Sequence, residues 1–275
     1  MRKFLLKKPS ILPGFNICFG LGASYVCFLV LLPLAALGAF SFKGGIGEIL
    51  AVISDPRVLS ALKFSFTASF VAAAVNSLFG FIIAWCLARY EFWGKGFISS
   101  LIDIPFALPT AVAGICLAYL FSHGGVMGAA LLRLGIDLQG ADFTCVVIVL
   151  IFVGMPFVVR TTEPVIKDFD KQVLEAAENL GANFWQIFRL IMLPSLLPSL
   201  ITGFALAFAR GLGEYGSVIF ISSNIPFKSE ILPVLIVSRL DSFNYQEAAV
   251  IGFFMILVAF ASLFLINFIQ KKVAK

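Results

Sequence analysis

Read only for apolar and polar positions, the chain is a series of long apolar runs separated by short polar connections. The runs cover residues 16–40, 64–88, 97–121, 143–159, 197–221 and 248–270. A bilayer takes roughly 20 residues of helix, with some latitude either way. The fourth run is the shortest and can continue to about Thr162. The pattern therefore predicts an all-α integral membrane protein with six transmembrane helices. Around them it leaves a short N-terminal segment (1–15), one long polar connection (160–196) inside a six-helix domain (16–270), and a basic tail (271–275). The first run resembles a secretory leader, since Arg2, Lys3, Lys7 and Lys8 precede it. It exceeds the 7–15 apolar residues of a leader, so it reads as a retained anchor.

Composition agrees. Of the 275 residues, 60% are hydrophobic and 13% charged, against about 25% charged in soluble domains. The net charge of +5 could suggest nucleic acid. The Lys and Arg residues, however, sit between apolar runs, where they encode topology. All five cysteines (Cys18, Cys27, Cys86, Cys116, Cys145) fall inside apolar stretches and none forms a CxxC pair. They read as small apolar residues in helix packing, not as a metal site or a disulfide framework.

The basic residues also predict orientation. With the N-terminus inside, 13 of the 20 Lys and Arg residues fall in cytoplasmic segments and 6 in outside loops, Arg210 lying within a run. This predicts both termini in the cytoplasm. It also places the 160–196 connection inside the cell.

That connection has its own folding signals. Residues 172–180 favour helix, and Gly181 can supply the left-handed position that ends one. Asn183 can cap a second helix with Gln186 three residues on, as in a capping box. Pro194 is expected to stop it. Two short helices joined by a sharp turn should lie at the membrane surface. Their apolar residues (Val173, Leu174, Ala177, Leu180, Trp185, Phe188) need a cover, either this chain's helix ends or a groove on a cytoplasmic partner. Glu175 at a helix start would suit the helix dipole.

The same stretch resembles the EAA loop of binding-protein-dependent ABC importers. The pattern is Glu-Ala-Ala, three residues, Gly, nine residues, Ile, one residue, Leu-Pro. It is matched at every spacing by Glu175, Ala176, Ala177, Gly181, Ile191, Leu193 and Pro194. The resemblance implies the transmembrane domain of a type I ABC importer, whose loop docks into an ATPase subunit and transmits its closure. The small Ala176 and Ala177 would let that partner approach closely. The Asp103–Gly114 and Gly211–Asn224 stretches resemble the sulfate and molybdate permease group, although Gly213-Glu-Tyr-Gly216 stands where that group has Gly-Glu-Phe-Gly. Leu12-Pro-Gly14, Phe106-Ala-Leu-Pro-Thr110 and Ile225-Pro-Phe-Lys-Ser-Glu230 are most similar to its sulfate permeases.

Charged residues inside spans are costly and point to function. Arg210 and Glu214 are four apart and can share a helix face. They form either an internal ion pair or a path in which Arg210 offsets the charge of a dianion. Asp103 lies roughly 9 Å into its span and Arg210 roughly 20 Å from the same side, so the two should not pair. Asp103 is expected to accept bonds from backbone donors near a kinked helix. Pro105 and Pro109 should kink or open that helix, and freed amides there, with the Thr110 hydroxyl, could bind an oxyanion. A purely structural kink is the other reading.

Several classes are excluded. Gly211-x-Gly213-x-x-Gly216 lacks the strand of a dinucleotide site and reads as close packing or a break in the span. There is no GxxxxGK[ST], GxSxG or HExxH, and His123 is the only histidine, in an outside loop. The chain is thus expected to be no enzyme and to bind no cofactor, with ATP and Mg used by a separate ATPase. The resemblance implies a homologous second permease, two ATPase subunits and an extracytoplasmic sulfate-binding protein as partners, in the bilayer of a bacterial inner membrane and with no nucleic acid. Sulfate, with thiosulfate alongside it, is the expected cargo. A molybdate or tungstate permease is the alternative within the family. A secondary anion transporter should show inverted repeats with paired broken segments, and an intramembrane enzyme should show a catalytic set.

Overall fold

The computed structural model describes residues 14–273. The basic cluster Arg2, Lys3, Lys7 and Lys8, the motif residues Leu12 and Pro13, and Lys275 lie outside them. Every regular element among the described residues is a helix. In chain order these are α1 (15–41, with a π turn at Cys27–Leu31), α2 (Gly45–Ile53), α3 (Pro56–Arg89), α4 (Lys95–Ala107), α5 (Thr110–Phe121), α6 (Val126–Arg133) and α7 (Asp142–Lys167). They continue as α8 (Lys171–Asn179), α9 (Phe184–Leu212, with a π turn at Phe188–Met192), α10 (Val218–Ile221), α11 (Leu232–Asp241) and α12 (Tyr245–Val273).

Among the described residues six helical segments are long and apolar enough to cross a membrane, as the hydropathy pattern predicts. Several extend well past the apolar runs. The Asp55 carboxylate caps α3 by accepting from Arg57 N at 2.8 Å, and Pro56 occupies the first turn. There the missing proline donor is not needed. The α3 helix consequently runs 34 residues, about 51 Å at 1.5 Å per residue.

The third span differs from the expected 97–121 helix. Leu108 and Pro109 are extended (ψ 134° and 131°), so the helix opens there into α4 and α5. A residue before proline avoids the helical region, and Leu108 obeys. Pro105 stays within α4. The apolar segment long enough to cross then falls at Thr110–Arg133.

The fifth span departs in the other direction. Pro194 does not stop a helix; α9 is continuous from Phe184 to Leu212. The π turn at Phe188–Met192 inserts an extra residue just ahead of Pro194. The wider turn accommodates a residue with no N–H, whose ring would clash with a regular preceding turn. The second surface helix is therefore the near end of a long span.

The core lies where α3, α7 and α9 cross. On α3 the buried positions Ala68, Ala72, Asn76, Gly80 and Ala84 form a stripe at every fourth residue. A side chain at Gly80 would meet Val158 Cγ1 at 2.9 Å, and one at Gly203 would meet Val158 Cα at 2.9 Å. Small residues at these crossings let the backbones approach, the main source of helix association in lipid. Four of the cysteines are exposed on the helix surfaces and Cys145 is buried, so the packing role expected for all five holds for one.

Candidate functional site

Two regions carry the candidate residues: the α8–α9 surface segment and the breaks in the third and fifth spans.

The α8 helix begins at Lys171 because Asp170 caps it, accepting from Gln172 N at 2.9 Å. Glu175 therefore sits in the second turn, not at the helix start. The dipole argument belongs to Asp170 instead. The helix ends as expected: Gly181 has φ +83°, its N–H bonds the Glu178 carbonyl at 2.9 Å, and Ala182 N–H bonds the Ala177 carbonyl at 3.0 Å. These are the two bonds of a Schellman motif. Asn183 and Gln186 make both bonds of the capping box, at 2.8 and 3.0 Å. A sharp, doubly capped turn results.

The apolar residues of this segment divide. Ala177, Ile187 and Met192 are buried together, with Leu174, Phe188, Ile191, Trp85 and Phe169 packed around them. Ala177 thus serves the chain's own packing, so of the two alanines only Ala176 faces outward. Leu193 is half-buried, and Glu175 and Pro194 are exposed. Leu180 (88%), Trp185 (72%), Phe184 and Val173 project outward. Arg89, at the end of α3, lies 5.5 Å from the Trp85 ring and 5.9 Å from the Phe169 ring, and donates to the Phe169 carbonyl at 3.4 Å. That carbonyl lies in the three-residue link between α7 and α8.

In the second region the two interrupted spans meet at their breaks. α9 ends at Leu212 with Gly213 as its cap, so Glu214 lies beyond the helix. Arg210 and Glu214 nevertheless pair, Arg210 Nη1 contacting Glu214 Oε2. Glu214 Oε1 accepts from Ser217 N at 3.0 Å and Ser217 Oγ at 2.7 Å. The carboxylate is 1% exposed, whereas a third of the Arg210 side chain is open. The folded-back 213–217 segment lies against the start of α5. A Cβ at Gly216 would overlap Thr110 Oγ1, and one at Gly114 would overlap the Ser217 carbonyl. Gly211 faces Ser69, whose Oγ would lie 3.1 Å from a Cβ there. The glycines serve packing and a break, as expected.

Asp103 belongs to neither group. Its partner is Arg160 on α7, which donates from Nε to Oδ1 (2.8 Å) and from Nη2 to Oδ2 (2.6 Å). This corrects the expectation of backbone donors; the separation of Asp103 from Arg210 stands. Arg160 also bonds Glu163 (2.7 Å) and the carbonyl and hydroxyl of Ser99 (2.8 and 2.9 Å). Lys167 closes on Glu163 at 2.6 Å. In the sequence Arg160 opens the polar 160–196 connection, with nothing but its spacing to set it apart. The signal was the Arg160–Glu163–Lys167 spacing, which puts three charges on one helix face. On the opposite end, Arg57 and Glu230 make a bidentate pair at 2.8 and 2.7 Å.

The long apolar helices, the small-residue core at their crossings and the capped turn define a multi-spanning membrane protein. Residues 76–275 match the family described as binding-protein-dependent transport system inner membrane component. The chain belongs to that family, and it is accordingly a multi-pass inner-membrane protein. It is 40% identical over 269 residues to the sulfate transport system permease protein CysT of Escherichia coli (strain K12), covering 98% of this chain and 97% of that one. With the protein of the same name from Salmonella typhimurium (strain LT2) the identity is 40% over 262 residues, covering 95% and 94%. In fold it matches a subunit of a bacterial alginate ABC transporter crystallised with its alginate-bound periplasmic protein. The TM-score is 0.77 at 16% identity over 94% of both chains.

Proposed function

We propose that this chain is one permease subunit of an ATP-binding-cassette importer that carries sulfate, with thiosulfate as a second cargo, into the cytoplasm. The observation that carries the reading is the doubly capped α8–α9 turn, which leaves Leu180, Phe184 and Trp185 in the open beside Glu175 and Ala176. Exposed aromatic and aliphatic anchors rimmed by charge are what a protein partner covers. The partner is an ATPase subunit, present in two copies and using ATP and Mg, so this chain binds no cofactor and catalyses nothing itself. A homologous second permease and an extracytoplasmic sulfate-binding protein complete the assembly. The cargo assignment rests on the sulfate permeases to which the chain is 40% identical along nearly its whole length.

Both termini and the α8 turn face the cytoplasm in this reading. ATP-driven closure of the ATPases draws the turns of the two permeases together and opens the cavity outward to accept the anion; hydrolysis resets it. The path runs past the paired breaks, where the backbone of one span opens at Leu108–Pro109, between Pro105 on α4 and Thr110 at the start of α5, and Arg210–Glu214 stand at the end of the other. Asp103 belongs to the path only through Arg160, which neutralises it.

The test is reconstitution of the complete complex in liposomes, with labelled sulfate outside and ATP within. Uptake that needs the ATPase, and that sulfate competes away better than molybdate, is the expected result. ATP-independent uptake would exclude the importer; stronger competition by molybdate would reassign the cargo. A reporter active only in the cytoplasm should work after Lys171 and fail after Asp137.

A further inference from the structure

The third span is not one helix but two, and its halves are held differently: among the described residues only α4 is tied to α7 by side-chain hydrogen bonds. α4 grips α7. Arg160 holds both oxygens of Asp103 at 2.6 and 2.8 Å and bonds Ser99 twice, Phe106 meets Phe157 edge-on at 5.1 Å, and Ile102 is buried beside Val159 and Ile166. α5 makes its tightest contacts with the folded-back segment after α9. Gly114 lies against the Ser217 backbone and Thr110 against Gly216, and Leu117 packs in the cluster that joins Val218 to Val146, Val149 and Val153 of α7. Between the halves Leu108 and Pro109 are extended. Hinges are usually a few residues at the ends of elements that absorb the change in backbone angles, and Leu108–Pro109, with the proline φ fixed by its ring, can do so through ψ.

We propose that Arg160 is a positioning residue of transport: it clamps α4 to α7, so that motion of α7 swings α4 about the Leu108–Pro109 hinge while α5 stays with the Gly213–Ser217 break. This rests on the reading that α8 docks on the ATPase. α7 runs into α8 through only Asp168, Phe169 and Asp170, with Asp168 N–H still bonded to the Pro164 carbonyl at 2.9 Å. A pull on α8 therefore reaches α7 with little slack. The apolar contacts between α4 and α7 can slide by a rotamer. A bidentate arginine–carboxylate pair fixes register as well as distance, and Glu163 and Ser99 hold the guanidinium in its plane. Its value is geometric, because Arg160 is one-third exposed and Asp103 more so; such pairs add little to stability.

Two measurements on the complete complex in liposomes test this. The first is the number of anions transported per ATP hydrolysed. Arg160→Gln should keep ATP hydrolysis while that ratio falls roughly fivefold or more, the lower end of typical coupling between sites. Arg160→Lys, which keeps the charge but loses the fork, should fall between. An unchanged ratio in Arg160→Gln overturns the clamp. The second uses paired spin labels in an otherwise native chain freed of its cysteines. The spacing between positions 96 and 165 (α4 to α7) should stay constant on ATP binding, while that between 96 and 119 (α4 to α5) changes. The opposite pattern, or no change in either, overturns the hinge, and this holds even if Arg160→Gln fails to assemble. Failure of the ATPase to join the complex at all would instead overturn the underlying reading.

Discussion

Arg210 and Glu214 pair around the end of a helix, not along its face. The α9 helix stops at Leu212, the chain folds back through Gly213, and the Glu214 carboxylate returns to Arg210 Nη1 while its other oxygen holds the Ser217 N–H and hydroxyl. Glu214 is therefore satisfied on both oxygens and buried, and Arg210 closes the site with a side chain one-third exposed. The pair secures the break in the span.

That arrangement separates two roles for Arg210. Arg210→Met leaves a buried carboxylate without its cation, at a cost near the lower end of roughly 3–5 kcal/mol because the arginine is partly solvated. Arg210→Met with Glu214→Gln removes the stranded charge, and the amide oxygen can still accept from Ser217. The amount of assembled complex should fall in the single variant and recover in the double. Uptake per assembled complex is the deciding measurement. Recovery there as well would take Arg210 off the path; a well-assembled double variant that does not transport would place it on the path.

The contact between the two breaks makes a sharper test. A Cβ at Gly216 meets mainly the Thr110 hydroxyl; the next atoms, Ala111 N and Thr110 Cβ, lie at 3.3 and 3.4 Å. Gly216→Ala should lose about 1–3 kcal/mol to overpacking, and Thr110→Ala added to it should restore most of the loss. At Gly114 the obstacle is the backbone of Ser217. Gly114→Ala should therefore be the more damaging, and no truncation at Ser217 should relieve it. Thermal midpoints of the four variants check this, and rescue of Gly114→Ala by Ser217→Gly would contradict it.

These contacts mark the border of what the sequence made legible. Hydropathy located six spans because burial in lipid acts on averaged composition, and the Gly181 and Asn183–Gln186 signals held because capping is decided within a few residues. Pro194 misled for the same reason. Proline's local rule ends a regular helix, but the π turn at Phe188–Met192, which no residue pattern announces, absorbs it. The Asp103–Arg160 pair was missed because its members are 57 positions apart and only helix adjacency brings them together. The meeting of Thr110 with Gly216 depends on the same long-range placement. Each break was legible from Pro109 and from the glycines, but not that the two breaks touch.

Gly181 ranks its own substitutions. A Cβ there meets nothing within 4 Å, so sterics with neighbours are no obstacle, but φ +83° is strained for any side chain. Asn tolerates the left-handed region best, Ala costs roughly 1–2 kcal/mol, and Pro cannot reach it, with φ locked near −65°. Proline also deletes the N–H that bonds Glu178. ATP-dependent uptake should fall in the order Asn, Ala, Pro, with membrane insertion unchanged throughout. Normal uptake and normal ATPase co-purification for Gly181→Pro would remove the coupling role from this turn.

The Arg57–Glu230 pair predicts an asymmetry. Glu230 is almost fully buried, whereas a quarter of the Arg57 side chain is exposed. Removing the arginine strands a buried carboxylate; removing the carboxylate leaves an arginine that can turn to water. Arg57→Met should therefore be the more severe variant, and Glu230→Gln the milder one. The segment they anchor is held in an uncommon shape. Phe227 has φ +65°, its carbonyl accepts from Ser60 Oγ at 3.0 Å, Ile225 N–H donates to Ser229 Oγ at 3.0 Å, and Leu232 N–H donates to Ser65 Oγ at 2.8 Å. A left-handed conformation costs a bulky residue roughly 1–2 kcal/mol, so it persists only while the surrounding bonds impose it. Loss of the anchor at Glu230 should release the turn and open Lys228, which lies within it, to trypsin. Cleavage after Lys228 in detergent-solubilised protein should be slow in the native chain, somewhat faster in Glu230→Gln and fastest in Arg57→Met, with the Arg57→Met, Glu230→Gln double variant falling back toward the milder one. If Glu230→Gln proves the most readily cut, the carboxylate holds the turn through a partner other than Arg57.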